Sequence, residues 1–71
     1  MSDFKSRLLE EKAQLDERLE KLQAFQTSDA FRNIALIQQT LLNVQANVMA
    51  TYSQVLLERI EWLEPVAASQ A

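Results

Sequence analysis

Apolar residues recur along this chain at helical spacing, in one line at first and later in two. From Asp3 to about Gln26 the leucines Leu8, Leu15 and Leu22 repeat at seven, and Phe4, Leu19 and Phe25 fall on the same side. Such spacing gathers residues on one face of an α-helix. Ser2 is a suitable N-cap, and Asp3 places a carboxylate in the first turn, where it complements the helix dipole. Gln26, Thr27, Ser28 and Asp29 then break the pattern with a run of cap-forming types, so the chain turns and a new helical segment begins near Ser28. Phe25 and Phe31 flank that turn and are expected to pack over its closed end. A break or kink is expected at Asn33, before the main helix starts around Leu36 and runs to Glu64. Pro65 stops it there, because a proline ring clashes with the preceding turn. Residues 65–71 are left as a flexible C-terminal tail.

The second long helix carries two apolar lines. Ile37, Leu41, Val44, Val48 and Val55 follow one; Leu42, Ala46, Met49, Leu56, Ile60 and Leu63 follow the other, rotated around the cylinder. Together they span roughly 200°, about twice the stripe of an ordinary surface helix. One partner helix cannot cover that arc. The first helix, about 36 Å long for 24 residues, is expected to leave Leu56, Ile60, Trp62 and Leu63 beyond its cover. The pattern therefore predicts an all-α fold: an antiparallel αα-hairpin with helices at about 3–26 and 36–64 and a short turn or helix at 28–33. It forms one domain over 1–64 and assembles with copies of itself into a homo-oligomeric bundle, second helix central. Leu41, Leu42, Val48, Met49, Leu56, Ile60, Trp62 and Leu63 are the expected interface.

Charge placement supports self-association. Asn33 to Leu57 is a run of twenty-five residues with no formal charge, ten of them Asn, Gln, Ser or Thr. That is too polar for a membrane span, and it is most simply explained by burial on more than one side. A chain of 71 residues buries only roughly 60% of its unfolded surface when it folds alone. With no Cys and no His, disulfides and Cys/His zinc sites are excluded, and oligomerisation is the remaining source of buried area. Zero Gly and a single Pro remove the turn chemistry of β-hairpins. The net charge of −3 argues against a nucleic-acid partner. The cysteine-free composition suits a reducing cytoplasm, and the charged start predicts no signal peptide. Eleven charges of mixed sign between Asp3 and Lys21, with Asp3/Arg7 and Glu17/Lys21 as favourable pairs, read as a solvated face.

Between the two apolar lines runs a third at strict seven-residue spacing: Gln38, Gln45, Tyr52 and Arg59. These positions fall inside the arc expected to be buried, where each unpartnered polar group costs about 1 to 3 kcal/mol. They can bond across an oligomer interface and fix its register. They can also line a pocket between subunits, where Tyr52 stacks on a ring, Arg59 takes a phosphate or carboxylate, and Gln45 with Asn47 or Asn43 offers amides. Catalysis is not expected. Without Gly there is no phosphate-cradling loop, and without His or Cys no conventional nucleophile and base. Glu58/Glu61 and the cluster Glu10, Glu11, Asp16, Glu17 and Glu20 are ordinary for helix surfaces, so neither metal nor cofactor is expected. Trp62, beside the helix stop, reads as an interface or core anchor; with Leu63 it gives the alternative of an apolar helix end that captures a host protein.

The run Phe4-Lys5-Ser6-Arg7-Leu8, the leucines to Leu22, Phe25, Phe31, and then Gln39, Leu42, Gln45, Met49, Tyr52, Leu56, Arg59 and Ile60 resemble a family of very small phage and prophage proteins named for its relation to a crAss-like phage product. The resemblance implies a phage-encoded accessory protein in the cytoplasm of a bacterial host. By analogy with other small oligomeric phage proteins, it implies a role against host defence, through sequestration of a cyclic nucleotide or ADP-ribose-type signal between subunits.

Overall fold

A computed structural model describes residues 2–70 of the chain and the side chains of 3–63. The described residues are helical throughout, apart from two short connections: α1 spans Ser2–Gln26, α2 Asp29–Asn33 and α3 Leu36–Gln70. α1 and α3 lie antiparallel against each other as a hairpin.

The turn is built by side-chain and backbone caps in the stretch where the pattern breaks. Thr27 N–H donates to Ala24 O at 3.3 Å and Ser28 N–H to Phe25 O at 3.0 Å, while the Thr27 and Ser28 hydroxyls reach the same carbonyls at 2.9 and 2.6 Å. These bonds satisfy the carbonyls that the end of α1 leaves without helical partners. Ser28, extended at φ −89° and ψ 160°, is also the N-cap of α2, its hydroxyl accepting from Phe31 N–H at 3.3 Å. The Phe25 and Phe31 rings meet edge to face, centroids 5.8 Å apart, over this closed end.

The break at Asn33 is present. Ile34, at φ −84° and ψ 163°, ends α2. The Gln39 amide then reaches back across the gap to donate to Ile34 O at 3.0 Å and Arg32 O at 3.3 Å. Gln39 thus supplies donors to carbonyls stranded by the break, while Ala35 O accepts from Gln38 and Gln39 N–H to open α3.

α3 is longer than the sequence predicts: it continues through Pro65 to Gln70 instead of stopping at Glu64. A proline inside a helix removes one hydrogen bond and strains the turn before it, which bends a long helix without having to end it. The tail expected at 65–71 is helical in its backbone over 65–70; residue 71 and the side chains from 64 onward lie outside the described residues.

Register decides which apolar line is covered. Gln26 Nε2 donates to Asn43 Oδ1 at 2.9 Å, and ten residues back along α1 and ten forward along α3 the Ser53 hydroxyl donates to Asp16. One more such step sets Ser6 opposite Leu63. α1 therefore covers the distal part of α3, contrary to the expectation that Leu56, Ile60 and Leu63 extend past it. Leu56 is fully buried with Leu8 and Leu15, and Met49, Ile60 and Leu63 pack against them. Ala46 completes the line. The core is small, and the shape shows it: the radius of gyration is 16.4 Å and the extents are 55 × 17 × 14 Å. A self-contained globule of this length would have a radius near 11 Å.

Candidate functional site

Among the described residues, no second helix covers the other apolar line of α3. Ile37, Leu41, Val44, Val48 and Val55 are each about half exposed or more, and Trp62 is 63% exposed. At about 100° per residue they form one face, turned well away from the line that meets α1. Of the expected interface residues, Leu41, Val48 and Trp62 lie on the open face or its end, while Leu56 is fully buried inside the hairpin and Leu42, Met49, Ile60 and Leu63 are half-buried.

Gln38, Gln45, Tyr52 and Arg59 run along the edge where the two faces meet, and all four are exposed. Their expected burial is between copies of the chain; within one chain no described polar side chain is buried. The covered face of α3 is wide enough for one neighbour, α1, and these four positions mark its margin. Being at that margin, they can reach across to α1. The Tyr52 hydroxyl donates to the Glu11 carboxylate. Gln45 keeps to its own helix, its amide 3.9 Å from the Met49 sulfur.

Two depressions lie on either side of this Tyr52–Glu11 link. The first, about 400 Å³, is lined by Val44, Asn47, Val48, Thr51 and Tyr52 on the open face of α3. The second, about 260 Å³, is lined by Phe4, Arg7, Leu8, Glu11 and Arg59 at the junction of the two helices. The structure thus brings Tyr52 and Asn47 together in one hollow and places Arg59 in the next. Gln38 and Gln45 line neither hollow and continue the same edge toward the turn. Sequence reading missed Arg7, Glu11 and Phe4. Their spacing in α1 is ordinary, and only the register of the hairpin puts Arg7 beside Arg59. Arg7 had looked like a surface partner for Asp3; instead it lines this hollow. Two guanidinium groups against one carboxylate leave the second hollow positive, in a chain whose net charge is −3.

The titration of Asp16, beside the site, is clearly displaced. The bond from the Lys12 ammonium, 2.7 Å away, and then the Ser53 hydroxyl hold its carboxyl below the usual carboxylate range, against a smaller opposing effect of burial. It stays charged and fixes the register at mid-helix. Among the described residues no cluster of carboxylates stands together as a metal site, and no helix is long and apolar enough to cross a membrane.

Fold and surface together define a small helical hairpin with one face finished and one open, and a cationic hollow at its margin. The chain belongs to the Sequestin family, whose model matches residues 2–62. That name suggests sequestration of some molecule; a tie to crAss-like phages is not part of the match. No curated protein and no solved structure matches the chain.

Proposed function

We propose that this chain is a non-enzymatic phage accessory protein that sequesters a small nucleotide immune signal, without turnover, at sites completed by a second copy of itself. The observation that carries the reading is the pairing of Arg7 and Arg59 in one hollow, with Tyr52 held next to it through Glu11. Guanidinium forks bind phosphate bidentately, and a phenol ring offers a stacking face for a base. Stacking of this kind adds about 1 to 3 kcal/mol per base in single-strand binders. The adjoining hollow supplies apolar wall from Val44 and Val48 and an amide from Asn47. Both hollows are open on a single chain, so retention of a ligand calls for a cover, and the bare face of α3 beside them is the natural place for one. The family name supports sequestration; the phage setting, the host cytoplasm and the role against defence rest on the resemblance alone.

A thermal-shift screen against cyclic di- and trinucleotides and ADP-ribose derivatives tests this. A ligand at 100 times its Kd adds about 2.7 kcal/mol of stability. Arg59→Ala and Arg7→Ala should each erase the shift while sizing still reports the assembled form. If no nucleotide moves the melting temperature, the reading fails.

A second reading, capture of a host protein helix at the apolar end of α3, retains Trp62, which is 63% exposed. It loses Leu63, which packs against the hairpin's own core. Retention of a host protein that Trp62→Ala abolishes, with the assembly intact, would favour it.

A further inference from the structure

We infer that Glu11 reads a free ribose hydroxyl of the sequestered nucleotide, so that the site takes ribonucleotides and discriminates against their 2′-deoxy counterparts. The inference rests on the sequestration reading above and adds what is recognised between the phosphate and the base.

Glu11 is a carboxylate set beside two guanidinium groups, and it pairs with neither of them. Arg7 lies one turn before it on α1, a spacing at which side chains of opposite charge can meet. Yet among the described residues no ion pair joins Glu11 to Arg7 or to Arg59. The bond it makes is with the Tyr52 hydroxyl on α3. Glu11 is therefore not the counter-ion of the arginines. A bare carboxylate at this place would only repel a phosphate held by them.

Its position gives it another use. Glu11 lines the smaller hollow with Arg7 and Arg59, while Tyr52, to which it is bonded, lines the larger one with Val44, Val48 and Asn47. The carboxylate thus stands at the junction of the two hollows. Tyr52 and Arg59 are seven residues apart on α3, about 10 Å along its axis. A nucleotide laid along this edge, with its phosphate on the two arginines and its base on the Tyr52 ring, carries its sugar past Glu11. An ionised carboxylate accepts hydrogen bonds at about four lone-pair sites, and the Tyr52 hydroxyl takes one. Glu11 is exposed, so the others are open to a donor. Ribose is the part of a nucleotide that brings a hydroxyl to this point. The same pairing of an acidic side chain with a ribose 2′-hydroxyl recurs where dinucleotides are held in other folds. A 2′-deoxyribose would set only carbon-bound hydrogen against the charge, and a site that bonds a hydroxyl rejects the analogue that lacks it.

Equilibrium dialysis of the parent chain is run with cyclic di-AMP, cyclic di-GMP, cyclic tri-AMP and ADP-ribose, each compared with its 2′-deoxy counterpart. The same pairs are measured on Glu11→Ala and Glu11→Gln, with helicity checked by circular dichroism. The expected result is that the parent chain retains at least one ribose form and holds its deoxy form about tenfold more weakly, as for a lost hydrogen bond to a charged group. Glu11→Ala should bind the two forms alike. Glu11→Gln, which keeps an acceptor oxygen, should retain part of the difference; if Glu11→Ala loses helicity, that narrowing decides. Equal binding of both forms by the parent chain would overturn the inference and leave sequestration standing. A difference that persists undiminished in the Glu11 variants would also overturn it, because another group would then read the sugar. Retention of none of the four by the folded parent chain would overturn the inference together with the reading under it.

Discussion

The Tyr52 hydroxyl on α3 donates to the Glu11 carboxylate on α1, forty-one residues earlier in the chain. This bond joins the two hollows of the candidate site and fixes the ring at their common edge. It separates what the phenol oxygen does from what the ring does. Tyr52→Phe should cost only about 0.5 kcal/mol, the low end for a hydrogen bond, because the pair is exposed. It should keep most nucleotide binding. Tyr52→Ala should lose binding with little further loss in stability. Urea melts and thermal shifts on the two variants separate these effects, and equal loss of binding in both would show that the oxygen is the contact.

The two apolar lines of α3 should respond differently to substitution. Leu56 is fully buried against Leu8 and Leu15, so Leu56→Ala should cost about 2 to 5 kcal/mol, and Leu56→Glu should unfold the hairpin at any concentration. Val48 is 60% exposed on one chain. Val48→Glu should therefore abolish association, and with it the dependence of Tm on protein concentration that an associating chain shows. Sedimentation and circular dichroism at two concentrations check both.

Which of these lines is covered was the main thing the sequence did not reveal. Both have helical spacing and similar side chains, and α1 could have lain against either. What decides is register, through Gln26 with Asn43 and Asp16 with Ser53. Of these residues the sequence reading placed Asp16 on a solvated face and Gln26 in the turn, and it gave Asn43 and Ser53 no contact with α1. The hairpin, the cap at Ser28 and the break at Asn33 were legible, because caps and turn residues act locally and carry their own signal. The role of Gln39 in bridging that break was not, since a glutamine in a helix has many ordinary uses. The end of α3 was misjudged at Pro65, where a local rule gave way to a long helix. Arg59 and Tyr52 were visible as a pair one heptad apart. Arg7 and Glu11 were not, because they join that pair only through tertiary contact.

Stability should fall in acid through Asp16. Its carboxyl is held below the ordinary value of about 3.9 by Lys12 and then Ser53. A carboxylate with a depressed folded-state pKa contributes stability that is fully present above the unfolded value, and loses it as pH falls through the folded one. The stability of the parent chain should thus decline from about pH 4 downward, and Asp16→Asn should make that decline shallower. Ser53→Ala should do so by a smaller amount. Chemical melts between pH 2 and 6, on the order of one per half unit, report the slopes; an unchanged slope in Asp16→Asn would place the acid-sensitive group elsewhere.

Ser28 serves two helices at once, closing α1 through Phe25 O and opening α2 through Phe31 N–H. Ser28→Ala should cost about 1 kcal/mol, as for other lost N-caps, while Ser28→Asp should keep the cap of α2. A melt in which Ser28→Ala matches the parent chain would mean that the backbone bonds, the Thr27 hydroxyl and the Phe25–Phe31 contact hold the turn without the Ser28 hydroxyl.

Equilibrium dialysis against cyclic di- and trinucleotides and ADP-ribose derivatives, followed by heating to release what was bound, tests sequestration most directly. The expected result is saturable retention of at least one of these nucleotides, its release on denaturation with mass and chromatographic behaviour unchanged, and loss of retention in Arg59→Ala. Retention of none of them by the assembled protein, or release of a chemically altered ligand, would contradict the proposal that this chain holds a nucleotide signal without turning it over.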